Sequence, residues 1–164
     1  MKYQALLATG LCIVLGMVAL GCGSSKTTSS DSRNQVASLP ATSQFDPHGW
    51  KVITTAVDRN DNTMLMLYGN DLAVKTARAG HTPYPPGSVL SLVTWKSQED
   101  DHWFGANMPA AVQSVEQVTF APSGTAQPSY DRYEGTALKK TALDAAAADK
   151  RISYIVNQRA AVMP

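Results

Sequence analysis

The sequence predicts an α+β domain that is rich in β-structure, with antiparallel sheets, one short central helix and one or two C-terminal helices. Two observations predict this fold class. Between residues 50 and 133, apolar runs of strand length are separated by clusters of Asp, Asn, Gly and Pro, which favour turns. From Thr136 to Met163 the chain contains neither Gly nor Pro and includes an Ala-rich stretch, which favours helix.

The N-terminus resembles the signal of a bacterial lipoprotein. Ala5–Leu20 is mostly apolar, too short for a typical membrane span, and is followed by Gly21-Cys22. We therefore predict a signal peptide over residues 1–21 and a Cys22 that carries acyl chains such as palmitate, which makes the membrane a partner. An ordinary signal peptide cleaved elsewhere and an uncleaved anchor are the alternatives. In an organism with two membranes, Gly23 is compatible with an outer-membrane location facing the periplasm.

The rest of the chain divides into a linker and one domain. Residues 22–44 are rich in Ser and Thr and poor in large apolar groups, which predicts a flexible, lipid-anchored linker. Residues 45–164 form the predicted domain. After removal of residues 1–21 and a lipidated Cys22, no free cysteine remains, because the only other one is Cys12. A disulfide, a thiolate metal site and a cysteine nucleophile are therefore not expected in the domain.

Charge argues against a nucleic-acid partner. The whole chain has 14 basic and 13 acidic residues. Loss of Lys2 with the signal peptide leaves equal numbers of each. No basic patch is evident along the sequence, so nucleic acid is not an expected partner.

The first half of the domain follows a clear order of elements. Trp50–Val57 has the β-branched character of a strand. Asp58–Asn62 is a turn cluster, and Met64–Tyr68 is a second strand. Asn70 is suited to capping a helix that begins at Asp71 and ends at Ala79.

Gly80 is suited to the position after that helix, and Pro83–Gly87 predicts a turn. Ser88–Lys96 is apolar on both faces, which predicts a central strand. Ser97–His102 is a polar segment that predicts a loop, and Met108-Pro109 is expected to bound another loop.

The second half is less regular. Val112–Phe120 alternates in the manner of a half-buried strand, and Tyr130–Tyr133 predicts a short edge strand. Thr136 can cap the C-terminal helix, which is either continuous or broken near Lys150.

No catalytic residue or metal site is identified from the residues alone. His48, His81 and His102 are scattered and form no short-spaced ligand pair. Glu99–Asp101 beside His102 is either a site for a hard cation or a solvated loop. Met64 and Met66 are expected to pack in the core. The aromatic residues expected to line the core or a former cofactor pocket are Trp50, Trp95, Trp103 and Phe104.

Three segments carry a family resemblance. They are Gly69–Lys75, Pro83–Gly87 and Val93–Lys96, and together they resemble the cytochrome P-460 family. The resemblance covers about residues 45–135. Further agreement lies at Trp50, Asp61-Asn62, Trp103-Phe104, Met108-Pro109, Tyr130 and Tyr133.

The resemblance implies a β-rich secreted domain that holds a c-type haem. In the family, a Cys-x-x-Cys-His motif near the C-terminus attaches the haem and supplies the proximal His. The corresponding stretch here, Lys150–Arg159, contains neither Cys nor His. Many members also have a Lys where this chain has Leu92. We therefore expect the family fold without covalent haem.

The expected family fold without covalent haem leads to two alternative hypotheses for the function. The first is a non-enzymatic, membrane-anchored lipoprotein whose domain serves as a binding or scaffolding module at the cell envelope. The second is a divergent protein that binds haem non-covalently, through a ligand such as His81 or His102. The second class includes gas binding and redox chemistry on small nitrogen compounds.

Overall fold

The framework of the domain is an antiparallel sheet. The computed structural model describes residues 34–41, 45, 49–80, 83–123 and 127–161. Within them, six strands pair in chain order, so that each strand lies beside the next. The strands are β1 (Lys51–Asp58), β2 (Thr63–Gly69), β3 (Val89–Glu99), β4 (Asn107–Thr119), β5 (Ser129–Glu134) and β6 (Lys139–Thr141).

Two α-helices accompany the sheet in the described part of the chain. Helix α1 (Asp71–Arg78) connects β2 to β3, and helix α2 (Ala145–Val156) follows β6. This arrangement confirms the predicted β-rich fold with one short central helix and one C-terminal helix. Neither helix is long and apolar enough to cross a membrane, and no other described segment forms such a helix.

The two faces of the sheet carry separate apolar clusters. Both helices pack on one face, here called the helix face, where Leu67, Leu90 and Leu92 meet Ala73 of α1 and Ile155 of α2. The other face is here called the second face. Its buried cluster contains Phe45, Val93, Trp95, Val112, Val115 and Leu138. Because β3 contributes to both clusters, its prediction as a central strand is confirmed.

The junction between β2 and α1 is held by Asn70. Its Oδ1 accepts hydrogen bonds from the backbone N–H groups of Ala73, at 3.1 Å, and Val89, at 3.3 Å. Its Nδ2 donates to the carbonyl oxygen of Gly87 at 2.8 Å. The predicted cap is confirmed, and the same side chain also ties the Pro-rich turn to the start of β3. Gly80 has φ +68°, as a residue after a helix end requires.

The hairpin between β3 and β4 is longer than the sequence predicts. Strand β3 continues to Glu99 instead of ending before a loop at Ser97, and β4 begins at Asn107. Met108-Pro109, expected to bound a loop, lies just inside β4, and Pro109 is opposite Ser97. A register shift next to this pair interrupts the ladder, and proline is tolerated in strands at such irregularities.

The C-terminal region also differs from the prediction. Strand β5 is not an edge strand, because β6 pairs with it. The predicted helix start at Thr136 was wrong, since the chain turns at Gly135–Leu138 and Leu138 adopts φ +47°. The helix begins at Ala145, where Asp144 accepts a hydrogen bond from Ala147 N–H at 2.8 Å.

Part of the predicted linker lies against the sheet. The compact unit begins at Asn34, and Gln35–Ala37 forms a short 3-10 turn. The indole nitrogen of Trp95 donates to the carbonyl oxygen of Ala37 at 2.9 Å. The amide nitrogen of Asn34 donates to the carbonyl oxygen of Pro109 at 2.5 Å. Residues 1–33 and 42–44, including Cys22, lie outside the described residues.

We predict that Asn70→Ala lowers the free energy of unfolding by about 1–2 kcal/mol, because it removes the cap and two further hydrogen bonds. Asn70→Asp keeps the acceptor oxygens and should cost less. Lys75→Ala, on the exposed side of α1, is the control and should change stability by no more than about 0.5 kcal/mol. Urea melts measure all three. An Asn70→Ala chain as stable as the Lys75→Ala chain would contradict this role.

Candidate functional site

A buried carboxylate lies at the centre of the helix face. Glu116 of β4 pairs with Leu92 of β3 on one side and with Arg132 of β5 on the other. Glu116 is only 1% exposed to solvent. A charged group at such a position requires partners, because burying an unpaired charge is very costly.

Three side chains supply those partners. Arg151 of α2 binds Glu116 with two hydrogen bonds, Nε to Oε1 at 2.8 Å and Nη2 to Oε2 at 2.5 Å. The Nη1 of Arg132 lies 3.3 Å from Oε1, and the hydroxyl of Tyr130 donates to the same oxygen. Arg132 also binds Glu134, with Nη2 2.6 Å from Oε1. These five residues are called the Glu116 cluster below.

The cluster keeps its charges in the folded protein. Burial raises the pKa of the Glu116 carboxyl, but the hydrogen bonds from Arg151 and Tyr130 and the charges of Arg151 and Arg132 outweigh burial, so that the pKa lies below its ordinary value. Burial and the neighbouring carboxylate raise the pKa of Tyr130 to about 12. Tyr130 is therefore a neutral donor to an ionised Glu116 at physiological pH.

A polar cavity of about 470 Å³ opens beside the cluster. Buried Thr63, Thr94 and Ser114, from three adjacent strands, form its floor. Asp58 and Asp61, at the connection between β1 and β2, line it as well. The remaining lining residues are Leu65, Gln113, Glu116, Arg132, Arg151 and Tyr154.

Charges of both signs therefore face this cavity. The carboxylates of Asp58 and Asp61 suit a cationic or hydrogen-bond-donating group, and the guanidinium groups of Arg132 and Arg151 suit an acceptor. The guanidinium of Arg151 also lies 4.7 Å from the ring centre of Tyr154, which restrains both side chains at the cavity. The described lining contains no His, Cys or Lys, so it supplies no imidazole, thiol or amine to the cavity.

The predicted ligand residues do not meet at this cavity. His102 lies near the tip of the β3–β4 hairpin with its side chain 87% exposed, and its Nδ1 is 3.4 Å from Oδ1 of Asp100. His48 and His81 lie outside the described residues. No group of three potential metal ligands occurs among the residues that the structure describes, including the segment Glu99–Asp101.

The predicted aromatic lining is correct in part. Trp95 is buried, and Trp50 packs against Phe45 with ring centres 5.6 Å apart, both on the second face. The expectation for Trp103 and Phe104 was wrong, because both side chains project from the hairpin tip and are strongly exposed.

Sequence reasoning missed the Glu116 cluster. Glu116 was counted among the polar residues of a half-buried strand. The available signal was indirect: β4 pairs with a central strand that is buried on both faces, so a charged residue in the middle of β4 can be covered on its polar side as well. Arg151 lies one helical turn before Ile155 and therefore shares its inward side of α2.

Comparison with known proteins gives one match. The sequence model of the family described as Cytochrome P-460 matches residues 46–150, which include all six strands, α1 and the first half of α2. No curated protein matches the chain.

We predict that Arg151→Met lowers the free energy of unfolding by about 2–4 kcal/mol, because it leaves a buried carboxylate without its two-pronged partner. Lys51→Met is the matched control. It breaks an ion pair of 2.7 Å with Asp71 whose side chains are 58% and 81% exposed, so solvent screens the pair and its loss should cost much less than the loss of Arg151. Denaturant melts at neutral pH measure both. Equal costs for the two variants would show that the Glu116 cluster does not hold α2 on the sheet.

Proposed function

Because the chain belongs to the cytochrome P-460 family, we propose that it is a lipid-anchored protein of the cell envelope whose domain binds a small polar ligand and carries no covalent haem. The observation that supports the absence of covalent haem most directly is which side chains α2 carries. The family resemblance places the haem-attachment motif in this part of the chain. Here the helix carries Arg151 and Ile155, which bind and pack on the sheet.

The donor set does not fit a covalently held c-type haem. Such a haem needs two thiols and an axial base such as imidazole. Lys150–Arg159 supplies neither, and the two cysteines of the chain, Cys12 and Cys22, precede the domain. On the helix face, Leu92 is 2% exposed at the position where many family members have Lys, and it belongs to the same packed cluster as Ile155.

The polar cavity is the proposed ligand site. It has the volume of a small-molecule pocket, and its lining carries both carboxylates and guanidinium groups, which a dipolar ligand can pair with. The ligand class that fits is a small molecule with a cationic or donor group for Asp58 and Asp61 and an acceptor for Arg151. We assign no reaction to this cavity and propose a binding or scaffolding module rather than an enzyme.

Membrane anchoring is proposed from the N-terminal sequence. Acyl chains on Cys22 hold a protein firmly at a membrane when two or more are present. Gly23 is compatible with the outer membrane, facing the periplasm, in an organism that has two membranes. The near-equal numbers of acidic and basic residues support no role in nucleic-acid binding.

The absence of covalent haem is tested by co-expressing the chain with a cytochrome c maturation system and staining a denaturing gel for haem. We predict no stained band at the mass of this protein, because no thiol lies within the domain. A c-type cytochrome expressed in the same cells is the positive control. A stained band would overturn the proposal. A Soret absorption band in the native protein alone would support the alternative, a protein that binds haem non-covalently for gas binding or redox chemistry.

Lipidation is tested by mass spectrometry of the protein extracted from membranes. We predict a mature N-terminus at Cys22 with acyl chains attached. The Cys22→Ser chain should fail to be processed at this position and should acquire no lipid. A wild-type N-terminus at any other residue would contradict the anchor without affecting the proposal on haem.

A further inference from the structure

A second cavity lies on the second face of the sheet. Its volume is about 400 Å³, within the range of small-molecule sites. Strands β1 and β2 supply most of its lining, and Ala37 of the 3-10 turn and Pro109 of β4 complete it. The lining residues are Ala37, Thr55, Ala56, Val57, Met64, Leu65, Met66, Tyr68, Trp95 and Pro109.

The chemistry of this cavity differs from that of the polar one. All ten described lining residues are uncharged, and most are apolar. The Trp95 N–H is already used by the carbonyl oxygen of Ala37, so the indole offers its apolar ring surface. Met64 and Met66 have flexible, polarisable side chains that adapt to a ligand of variable shape. A charged group would lose its hydration here without gaining a partner, so the cavity selects an uncharged ligand.

The cavity lies at the sheet edge that β1 forms, and exposed apolar residues occur there. Val57, which lines the cavity, is 51% exposed, and Val36, which precedes the lining residue Ala37 in the chain, is 60% exposed. Partly exposed apolar side chains around a concave apolar site are characteristic of ligand grooves. An apolar molecule in this cavity would remove such surface from water, which favours binding by the hydrophobic effect.

The short segment between Cys22 and the domain indicates which apolar molecule is available. Asn34 is hydrogen-bonded to Pro109, and Ala37 forms part of the cavity wall. Residues 23–33 separate Cys22 from Asn34, a distance of at most about 40 Å even when fully extended. On the proposed lipid anchor, the cavity therefore stays within reach of the bilayer, whose lipids supply hydrocarbon chains at high local concentration.

We propose that this cavity binds the hydrocarbon chain of an uncharged, single-chain lipid taken from the membrane. The inference rests on the proposed anchor for its source of ligand and extends the proposed function by a second, apolar site. The site is separate in its lining from the polar cavity, with which it shares only Leu65.

The test uses residues 22–164, the predicted mature chain, with Cys22→Ser and Trp103→Phe, so that lipidation, the apolar segment Ala5–Leu20 and the exposed indole are absent. The probe is a monoacylglycerol with a nitroxide label on its acyl chain, which quenches nearby tryptophan. We expect saturable quenching at one probe per chain, because Trp95 lines the cavity. Val57→Asp adds a charge at the rim and Thr55→Phe fills the cavity from an exposed position, and each should weaken binding at least about tenfold. Val52→Asp is the matched control on the same strand, 42% exposed and outside the lining, and should bind as the parent does.

Three results would overturn the proposal. They are no saturable quenching, equal binding by the Val57→Asp, Thr55→Phe and Val52→Asp chains, and tighter binding of the equally labelled fatty-acid anion than of the monoacylglycerol. A fourth comparison uses the lipidated chain with Trp103→Phe. If this chain does not bind the probe and the Cys22→Ser chain does, the chain's own acyl group occupies the cavity, and the proposal of a lipid taken from the membrane is overturned. If Cys22 is found not to be lipidated, the binding measurements still test the apolar cavity. The proposal of a lipid anchor and the proposal of a lipid site can therefore fail independently.

Discussion

The ion pair between Glu116 and Arg151 is the interaction on which the helix face depends. Glu116 lies in a central part of the sheet with almost no exposure to water, so its charge must be balanced by neighbouring groups. Arg151 comes from α2, far along the chain, and its planar guanidinium fits both carboxylate oxygens. The pair therefore fixes the position of α2 over the sheet as well as satisfying the charge. Arg132 and Tyr130 complete the set of donors from β5.

This pair also divides the helix face into two chemical zones. Toward α1 the face is apolar, and Leu90, Val118 and Ile155 pack there without exposure. Away from α1, polar side chains replace them, with Thr94 and Ser114 next to each other in the sheet. The polar cavity occupies this second zone. The second face shows the opposite preference, because its cavity is lined by uncharged side chains around Trp95. One sheet thus carries two cavities of different chemistry.

The sequence match to the cytochrome P-460 family ends inside α2, after the strands, the cap at Asn70 and the turn before β3. Helix α2 contributes the cation Arg151 and apolar side chains such as Ile155 to the helix face. We propose that these residues take the structural place that the haem attachment takes elsewhere in the family. In that case the domain retains a packed face without the cofactor, because a large void there would cost stability.

Local signals in the sequence predicted much of the fold, and nonlocal ones did not. Asn70 and Gly80 were predictable because a helix cap and a helix end depend on the residue and its immediate neighbours. The helix start at Thr136 was mispredicted because Leu138 adopts a left-handed conformation that its residue type does not indicate.

The functional residues illustrate the same limit. Glu116 is buried because β4 lies between β3 and β5, and no local sequence pattern indicates that strand order. Its partner Arg151 lies 35 residues away in the chain. Exposure of Phe104 follows from its place at a hairpin tip, although its apolar character suggested burial. Both cavities therefore required the structure, whereas the cap and the central strand did not.

If α2 packs on the sheet through its own side chains, its amides are protected from exchange in the haem-free protein. Native-state hydrogen exchange measures this protection residue by residue. We expect the backbone amides of Ile155 and Val156 to be protected to a degree comparable with those of β3, and added haemin to leave this protection unchanged. Exchange of these α2 amides at rates typical of an unfolded chain, with protection appearing only after haemin is added, would show that α2 needs haem to pack on the sheet.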